Sequence, residues 1–363
     1  MARNCKICLQ QSIIPDYRMG LFRLLRVQWD DAFQIYAGDA DFGGTPVSDK
    51  DAWQHFKHVE NYYILGGRFL WQWGCFRELL SADVTILNGN MRVLSSGFVQ
   101  VLRKLSGRRT ILWGHTKGQN GFAGAIRGLY LRFCDGFIAY TESQAEMVRQ
   151  RYPWLTVWVA ANSCVSAADC VPVEATLDGA DSILYVGRLV EKKKVRLLLE
   201  GFIRAQQDSL LPEHIRLVFV GDGAERQHLE ARAEEAGVTA KVDFAGHVSD
   251  VTELRGYYQN AICAVSPGYV GLSATQSFSF GVPMLIARDE FHSPEIEACI
   301  EGFNASFCPS DDAAALALAL SYYNHEKDEW LKKRSCISEW TRAHYSFEVM
   351  RDTFISAVNE VSV

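Results

Sequence analysis

The fold of this chain is decided by residues 263–287, which read CAVSPGYVGLSATQSFSFGVPMLIA. Short apolar runs at residues 262–265 and 284–287 flank a glycine-bearing loop and a helical stretch, which predicts a strand, a helix and a second strand. Such a unit places the loop at residues 268–273 at the carboxyl end of a parallel strand, where backbone N–H groups can bind an anion such as phosphate. The same residues also fit an ordinary right-handed crossover that binds no ligand.

The alternation of apolar strands and helices continues along most of the chain. It predicts strands at residues 6–10, 32–37, 84–87, 110–113, 136–140 and 157–160, and again at residues 182–187, 216–220, 242–244, 262–265 and 284–287. A length of 363 residues suits two domains. We therefore predict two doubly wound α/β domains, residues 1–165 and 175–339, joined by a polar linker.

Several classes of protein are disfavoured by the composition. The chain contains no run of eighteen apolar residues, and its first twelve residues lack the apolar core of a signal peptide, so we expect a cytoplasmic protein. The ten cysteines are scattered, as is typical of reduced thiols. Cys5 and Cys8 form a CxxC pair without a second pair or a nearby histidine, so we predict no metal site.

Charge is distributed unevenly between the two halves. Residues 1–170 carry 19 basic and 14 acidic side chains, a net charge of +5, which leaves −11 for the remainder of a chain whose total is −6. This asymmetry indicates an anionic surface or substrate for the first domain, although solvated surface charge gives the same count. The basic helix at residues 19–27 fits either contact with anionic lipid at the inner face of a membrane or packing on its own sheet. We predict no binding to nucleic acid.

Polar residues follow several of the predicted strands. Asn88 and Asn90 fit either a tight turn or a ligand-binding crevice. His115 lies in a glycine-flanked loop directly after a strand, a position that suits a functional histidine as well as a surface one. In the second domain, Arg188 and residues 192–194, all lysines, lie between a strand and a helix start, where the helix dipole disfavours cations. A bound anion would explain this placement, and a solvated basic loop is the alternative.

The ordered motifs resemble those of a known family. The second half contains VGRLVEKKKVRLLLEGF, VGDGAERQHLEARAEEAGV, VDFAGHV, YYQNAICAVSPG and FGVPMLIA, and the first half contains the looser IIPDYRMGLF, LNGNMRVLSS and ILWGHTKG. With these motifs the chain resembles retaining GT-B glycosyltransferases of family 4, in particular a branch with a Pro-Gly-x-Val-Gly-Leu loop. The resemblance implies two facing Rossmann-like domains and a last helix, residues 340–363, that crosses back to the first domain.

The resemblance also implies roles for individual residues. His115 matches a histidine beside the donor sugar, and Arg188 and Lys193 match the cations that hold the donor diphosphate; these three form the predicted catalytic set. The predicted donor-binding set consists of Gly221, Val248, Gly268, Gly271, Leu272, Ser273 and Gln276. The predicted acceptor-side set consists of Asp16, Tyr17, Arg18 and Asn90.

One departure from the family affects the donor site. The family usually has two glutamates eight positions apart, and alignment on the turn Gly281–Pro283 puts Gly268 and Gln276 at those places. Gln276 can hydrogen-bond ribose hydroxyls, although it also fits a helix-capping pair with Ser273. Gly268 has no side chain, so the contacts of the first glutamate must come from elsewhere or be absent.

The resemblance implies transfer of a sugar, with retention, from a UDP- or GDP-type donor to a hydroxyl of a glycan or lipid-linked acceptor. Cell-surface polysaccharide assembly in bacteria is the expected setting, and neither a metal nor another cofactor is expected. Two alternatives stay open: a GT-B scaffold that binds nucleotide-sugars without catalysis, and a GT-B epimerase or inverting transferase.

Overall fold

The computed structural model describes residues 5–42, 48, 56–115, 121–177 and 179–362. The chain divides into two compact units, a first unit of Met1–Cys164 with Phe347–Val363 and a second unit of Val165–Ser346. The division places residues 340–346 in the second unit, whereas the sequence-based boundary grouped them with the returning helix. Each unit is described separately below.

The first unit is built on a parallel sheet of seven strands in the order β3-β2-β1-β6-β7-β8-β9. In chain order its elements are β1 (Ile7–Gln10), α1 (Met19–Trp29), β2 (Phe33–Ala37), β3 (Lys57–His58), β4 (Glu60–Ile64), β5 (Phe69–Trp73), α2 (Phe76–Ser81), β6 (Val84–Asn88), α3 (Leu94–Leu105), β7 (Arg109–Gly114), α4 (Gly121–Leu131), β8 (Gly136–Ala139), α5 (Glu142–Arg151) and β9 (Thr156–Val159). Thr141 caps α5, accepting a hydrogen bond from the backbone N–H of Gln144. β4 and β5 pair with each other as an antiparallel ribbon outside this sheet.

The second unit is built on a parallel sheet of six strands in the order β12-β11-β10-β13-β14-β15. Its elements are β10 (Ser182–Val186), α6 (Val195–Gln207), β11 (Arg216–Val220), α7 (Arg226–Glu235), β12 (Val242–Gly246), α8 (Val251–Asn260), β13 (Ala261–Ser266), α9 (Ser273–Ser279), β14 (Met284–Ala287), β15 (Ala305–Cys308), α10 (Ala313–His325), α11 (Lys327–Lys332) and α12 (Arg334–His344). Both sheets therefore confirm the predicted doubly wound α/β fold.

The last helix, α13 (Phe347–Val361), packs in the core of the first unit. Its Phe354 ring lies 4.8 Å from that of Trp113 in β7. It also contacts α1, where Gly20 leaves room for Phe347: a Cβ at Gly20 would lie 2.2 Å from that ring. Met19, Leu21, Phe22 and Leu25 of α1 are buried in the same core, so of the two alternatives for this helix the structure supports packing within its own unit.

Two further expectations concern a metal site at the CxxC pair and a membrane-spanning helix. Cys8 is fully buried in β1, and burial raises the pKa of its thiol to about 11. Within the described ranges there is no cluster of three or more potential metal-ligating side chains. In that same part of the chain, no helix is both long and apolar enough to cross a bilayer.

Candidate functional site

In both sheets the strand order reverses beside the first strand, and the loops that leave this point are the expected ligand-binding loops. In the second unit β10 lies between β11 and β13. The loop after β10 carries Arg188 and Lys193, and the loop after β13 carries residues 267–272. The two loops that the sequence singled out for anion binding therefore leave adjacent strands at the same edge of the sheet.

Lys193 is the residue on which these two loops meet. It ends a single 3-10 turn, Glu191–Lys193, and the following Lys194 has a φ of +51°, which turns the chain into α6. The Lys193 ammonium donates a hydrogen bond to the Tyr269 carbonyl oxygen at 2.7 Å and lies 4.7 Å from the centroid of the Tyr269 ring. The loop after β13 thus holds the lysine through a neutral carbonyl and an aromatic face.

Lys193 forms no ion pair with a residue that the structure describes, and the buried Glu295 offsets only part of its charge. Lys194 pairs with Glu290 and Asp311, whereas neither Lys193 nor Arg188 has a carboxylate within ion-pair distance among the residues that the structure describes. Burial, with the nearby positive charges of Lys192 and Arg188, lowers the pKa of Lys193 to about 8. Lys193 is half-buried and Arg188 is exposed, and neither forms an ion pair with a described carboxylate. This pair of cations favours an anionic ligand.

Gly268 stands where the family resemblance predicts a glutamate. A Cβ at this position would lie 2.9 Å from the carbonyl oxygen of Lys192 and 2.9 Å from the carbonyl carbon of Lys193, so the loop packs directly on the 3-10 turn. A glutamate has no room there without a backbone shift. Gly271 is different, because a Cβ added there would make only ordinary contacts. One of these is with the Lys193 side-chain nitrogen, at 4.0 Å.

The remaining predicted donor residues of this loop begin α9. Leu272 precedes the helix as its cap residue without a side-chain capping bond, and Ser273 is the first helical residue. The alternative in which Gln276 pairs with Ser273 as a capping box is therefore wrong. The half-buried Gln276 side chain has no hydrogen-bond partner within the described ranges, which leaves its amide available to a ligand.

Gly221 lies where three neighbouring strand ends touch. Its N–H donates to the Gly246 carbonyl oxygen at 2.7 Å, and a Cβ on it would lie 1.9 Å from the Gly187 carbonyl oxygen. The structure thus brings Gly221 against the residue that precedes Arg188. Val248, two residues beyond Gly246, is partly buried and packs against the apolar cluster of this unit.

Sequence reasoning missed the residues that hold the loop after β13. His292 accepts a hydrogen bond from the Val270 N–H at 3.2 Å and donates one to the Ala287 carbonyl oxygen at 2.8 Å. Burial lowers the pKa of His292, which favours this neutral tautomer. The nearby Glu295 is buried, accepts a hydrogen bond from the Ser293 hydroxyl and partly offsets the charge around Lys193. No spacing signal in the sequence distinguishes this role of His292 and Glu295 from that of an ordinary helix start.

In the first unit a cleft of about 660 Å³ lies at the corresponding point of the sheet, where β1 and β6 are neighbours. Among its lining residues are four of the predicted ones, Tyr17, Arg18, Asn90 and His115. Asp16 does not line it: this side chain is exposed and accepts a hydrogen bond from the Tyr17 N–H at 2.7 Å. The structure therefore places Asp16 outside the predicted acceptor site, because it is used in the local turn.

Three of these lining residues are fixed by their neighbours. The Arg18 guanidinium lies 4.6 Å from the Trp113 ring centroid and donates to the Tyr140 hydroxyl at 2.9 Å. His115 is exposed, and its Nδ1 contacts the side-chain amide of the buried Gln144. The side-chain oxygen of Asn90 accepts from the Arg92 N–H at 3.0 Å, so the turn alternative for this residue is correct.

Gln11 is the residue of this cleft that sequence reasoning missed. It is 4% exposed and lines the cleft, yet its side-chain nitrogen has no hydrogen-bond partner in the part of the chain that the structure describes. A buried donor without an acceptor is costly, and a ligand oxygen in the cleft would satisfy it. The sequence signal that could have indicated Gln11 as a ligand-binding residue is its position directly after β1.

Cations outnumber acids in the described lining of the cleft. Arg18, Arg92 and Arg127 contribute three positive charges, and Asp41 contributes the one carboxylate. Such a lining favours an anionic or strongly polar ligand.

Comparison with known proteins gives one family match. Residues 173–342 match the model of the family described as Glycosyl transferases group 1. Two curated relatives are an uncharacterized glycosyltransferase from Methanocaldococcus jannaschii, 33% identical over 113 residues, and the lipopolysaccharide core biosynthesis glycosyltransferase LpsE from Rhizobium meliloti, 28% identical over 165 residues. These matches cover 30% and 44% of this chain, and 28% and 46% of the two relatives.

Solved structures resemble this chain over nearly its whole length. HepE from Anabaena, crystallised in complex with UDP, superposes with a TM-score of 0.70 and 13% identity, covering 98% of this chain and 100% of HepE. At this identity the likeness establishes the fold, which is that of GT-B glycosyltransferases.

Proposed function

We propose that this protein, whose residues 173–342 form a domain of the group 1 glycosyl transferases, transfers a sugar from a nucleoside diphosphate sugar to a hydroxyl of a glycan or lipid-linked acceptor. One observation carries this proposal: Lys193 and Arg188 lie at the switch point of the second sheet, next to the loop after β13, and neither forms an ion pair with a described carboxylate. A diphosphate supplies the negative charge that this site lacks.

In the proposed reaction the bond between the anomeric carbon and the diphosphate breaks, and its electron pair goes to the departing phosphate oxygen. The acceptor hydroxyl oxygen bonds to the anomeric carbon, and its proton moves to that same phosphate oxygen. The charge that grows on the diphosphate is stabilised by Lys193 and Arg188, which are fixed before the reaction begins. We therefore propose a reaction that needs neither a metal nor a dedicated side-chain base.

The other predicted donor residues have complementary proposed roles. The small Gly271 lets a ligand approach Lys193 closely, and Gln276 is proposed to bind the ribose hydroxyls in place of the second glutamate. For His115 the family resemblance implies a place beside the transferred sugar, and its ring, held by Gln144, suits a hydrogen bond to a sugar hydroxyl. Retention of the anomeric configuration, membership of family 4 and the Pro-Gly-x-Val-Gly-Leu branch follow from that resemblance and are proposed with it.

The cleft of the first unit is the proposed acceptor site. Its three arginines and the unpartnered Gln11 amide suit an acceptor rich in phosphate or carboxylate and hydroxyl oxygens. We propose cell-surface polysaccharide assembly at the cytoplasmic face of a membrane, which is in keeping with the lipopolysaccharide-related name of the curated relative LpsE.

The test is release of UDP or GDP from their sugar nucleotides, with bacterial lipid extract as the source of acceptor. We expect Lys193→Ala to lower the rate by about two orders of magnitude, because charge-assisted hydrogen bonds to a buried anion contribute roughly 1.5–3 kcal/mol. Lys192→Ala is the matched control, an exposed lysine on the same turn, and should lower it no more than about threefold.

The outcomes separate the alternatives. Absence of nucleotide release with every donor would support the non-catalytic scaffold. Conversion of a sugar nucleotide without acceptor would identify an epimerase. The anomeric configuration of the product, read by NMR, would separate a retaining from an inverting transferase.

A further inference from the structure

The antiparallel ribbon of β4 and β5 in the first unit has an inverted distribution of polarity. The pairs Asn61–Gln72 and Tyr63–Leu70 share one face, and Gln72 on that face is completely buried. The Asn61 and Gln72 amides donate to the carbonyl oxygens of Ser12 and Gln11 at 3.0 and 2.9 Å. The inward face of the ribbon is thus joined by hydrogen bonds to the loop that forms the floor of the cleft.

The outward face of the same ribbon is aromatic. Its pairs Tyr62–Trp71 and Ile64–Phe69, with Trp73 opposite Glu60, define what we call the aromatic face. Tyr62 is 50% exposed and Trp73 58% exposed. A ribbon on a protein surface ordinarily turns its amides outward and its aromatic rings inward. The reversal here indicates that the aromatic face is covered by something apolar when the protein works.

The aromatic face extends onto the two helices beside it. Phe76 of α2 lies 5.4 Å from Trp73, and Phe98 of α3 lies 5.8 Å from both Phe76 and Trp71, measured between ring centroids. Phe98 is 47% exposed. Because the rings pack edge to face or tilted on one another, they form a fixed surface rather than a set of independent side chains.

Charge beside the aromatic face is positive. The turn that joins the two strands carries Leu65, which is 72% exposed, and ends at Arg68. Arg68 and Arg77 are exposed and have no carboxylate partner among the residues that the structure describes, and Glu60 is the one acid on the aromatic face. Exposed tyrosine and tryptophan rings beside a protruding aliphatic tip and unpaired arginines match the chemistry of the interface between lipid headgroups and acyl chains.

The tip of the ribbon is also attached to the rim of the cleft. Arg92, which lines the cleft, donates to the carbonyl oxygens of Arg68 and Gly67 at 2.6 and 3.0 Å. A surface that binds a bilayer through this ribbon would therefore hold the cleft next to the headgroup layer.

We propose that the aromatic face, with Leu65, Phe76 and Phe98, docks the protein on an anionic lipid bilayer and presents the cleft to an acceptor anchored in that bilayer. This proposal rests on the proposed function for the identity of the acceptor, whereas bilayer binding itself requires no donor. The proposal assigns the membrane contact to the ribbon and not to α1, whose apolar side is buried.

The experiment is sedimentation of the full chain with two kinds of vesicle. One consists of phosphatidylcholine alone, and the other also contains about 30% phosphatidylglycerol. We expect Leu65→Ser and Trp73→Ser each to lower the partition coefficient roughly tenfold, because each removes apolar area from the lipid contact. Arg68→Gln should remove part of the gain that the anionic lipid gives. Val27→Ser and Leu318→Ser, at side chains 83% and 60% exposed in α1 and α10, are matched controls and should bind as the wild type does.

Each result decides the proposal. Loss of vesicle binding in the ribbon variants alone, with UDP affinity and melting temperature unchanged, supports it. Equal binding by all variants, or no binding by the wild type, overturns it. A dimer that becomes monomeric on Trp73→Ser, seen by light scattering, also overturns it, since a second copy would then cover the aromatic face. Vesicle binding without binding of any nucleoside diphosphate would contradict the proposed function and leave the docking proposal intact.

Discussion

The affinity for a nucleoside diphosphate is expected to fall as the pH rises through the lowered pKa of Lys193. Burial and the charges of Lys192 and Arg188 lower that pKa to about 8, so the side chain is charged at pH 7 and neutral at pH 9. The terminal phosphate of the ligand loses its last proton near pH 6, roughly, so its charge is constant over this range. Only the protonated form of Lys193 attracts the diphosphate. The nucleotide should therefore bind more tightly at pH 7 than at pH 9.

The size of the effect follows from the same pKa. With a pKa of about 8, the protonated fraction of Lys193 is roughly 0.9 at pH 7 and roughly 0.1 at pH 9. If the bound diphosphate keeps the ammonium protonated throughout, Kd rises about tenfold between these two values, or about 1.4 kcal/mol. At pH 8, binding should take up about half a proton from the buffer.

Isothermal titration calorimetry with UDP and with GDP at pH 7, 8 and 9 measures both quantities. Proton uptake appears as a dependence of the binding heat on the ionisation enthalpy of the buffer. Lys193→Arg is the control, because its guanidinium stays charged over the whole range and should give a nearly flat profile with no proton uptake. A flat profile for the wild type, or an equal slope in Lys193→Arg, would refute the assignment of the diphosphate to Lys193.

Three further predictions concern the glycines of the loop after β13, the exposed arginine and the histidine. Gly268→Ala should lower the stability by roughly 1–3 kcal/mol because its methyl group meets the backbone of the 3-10 turn, whereas Gly271→Ala should melt as the wild type does; thermal unfolding compares them. Arg188→Ala should weaken UDP binding about tenfold or more in calorimetry without changing the melting temperature, since the side chain is exposed and has no carboxylate partner within the described ranges. His115→Ala should keep UDP affinity within about twofold while lowering turnover about a hundredfold, so rates unchanged from wild type would remove it from the catalytic set.

The sequence predicted the parts of this fold that repeat a local pattern. Apolar strands alternating with helices gave the doubly wound topology, and that topology placed the ligand loops at strand ends before any contact was known. The sequence also indicated Arg188 and Lys193 as candidate anion-binding residues, because cations at the start of a helix are locally unfavourable.

Other features depend on contacts between residues far apart in the chain, which a local pattern does not contain. The buried Arg334 of α12 donates to the carbonyl oxygens of Val173 and Ala261, and nothing near it in the sequence marks it as a core residue. The ribbon was visible only as an aromatic run, since its register and inverted faces depend on amide bonds to the loop after β1. Gln11 was missed for the same reason.

The glycine at position 268 and the hydrogen bond of Lys193 to Tyr269 belong to the same contact between the two loops. A carboxylate in that loop would neutralise the lysine in the absence of ligand and would compete with a diphosphate for it. With glycine there, the loop closes onto the 3-10 turn, and the carbonyl of Tyr269 takes the lysine hydrogen bond instead. This carbonyl carries no formal charge to offset that of the ammonium, while burial and the nearby charges of Lys192 and Arg188 lower the pKa of Lys193. The absence of a carboxylate at position 268 is therefore consistent with the proposed donor site, in which Lys193 and Arg188 supply the charge.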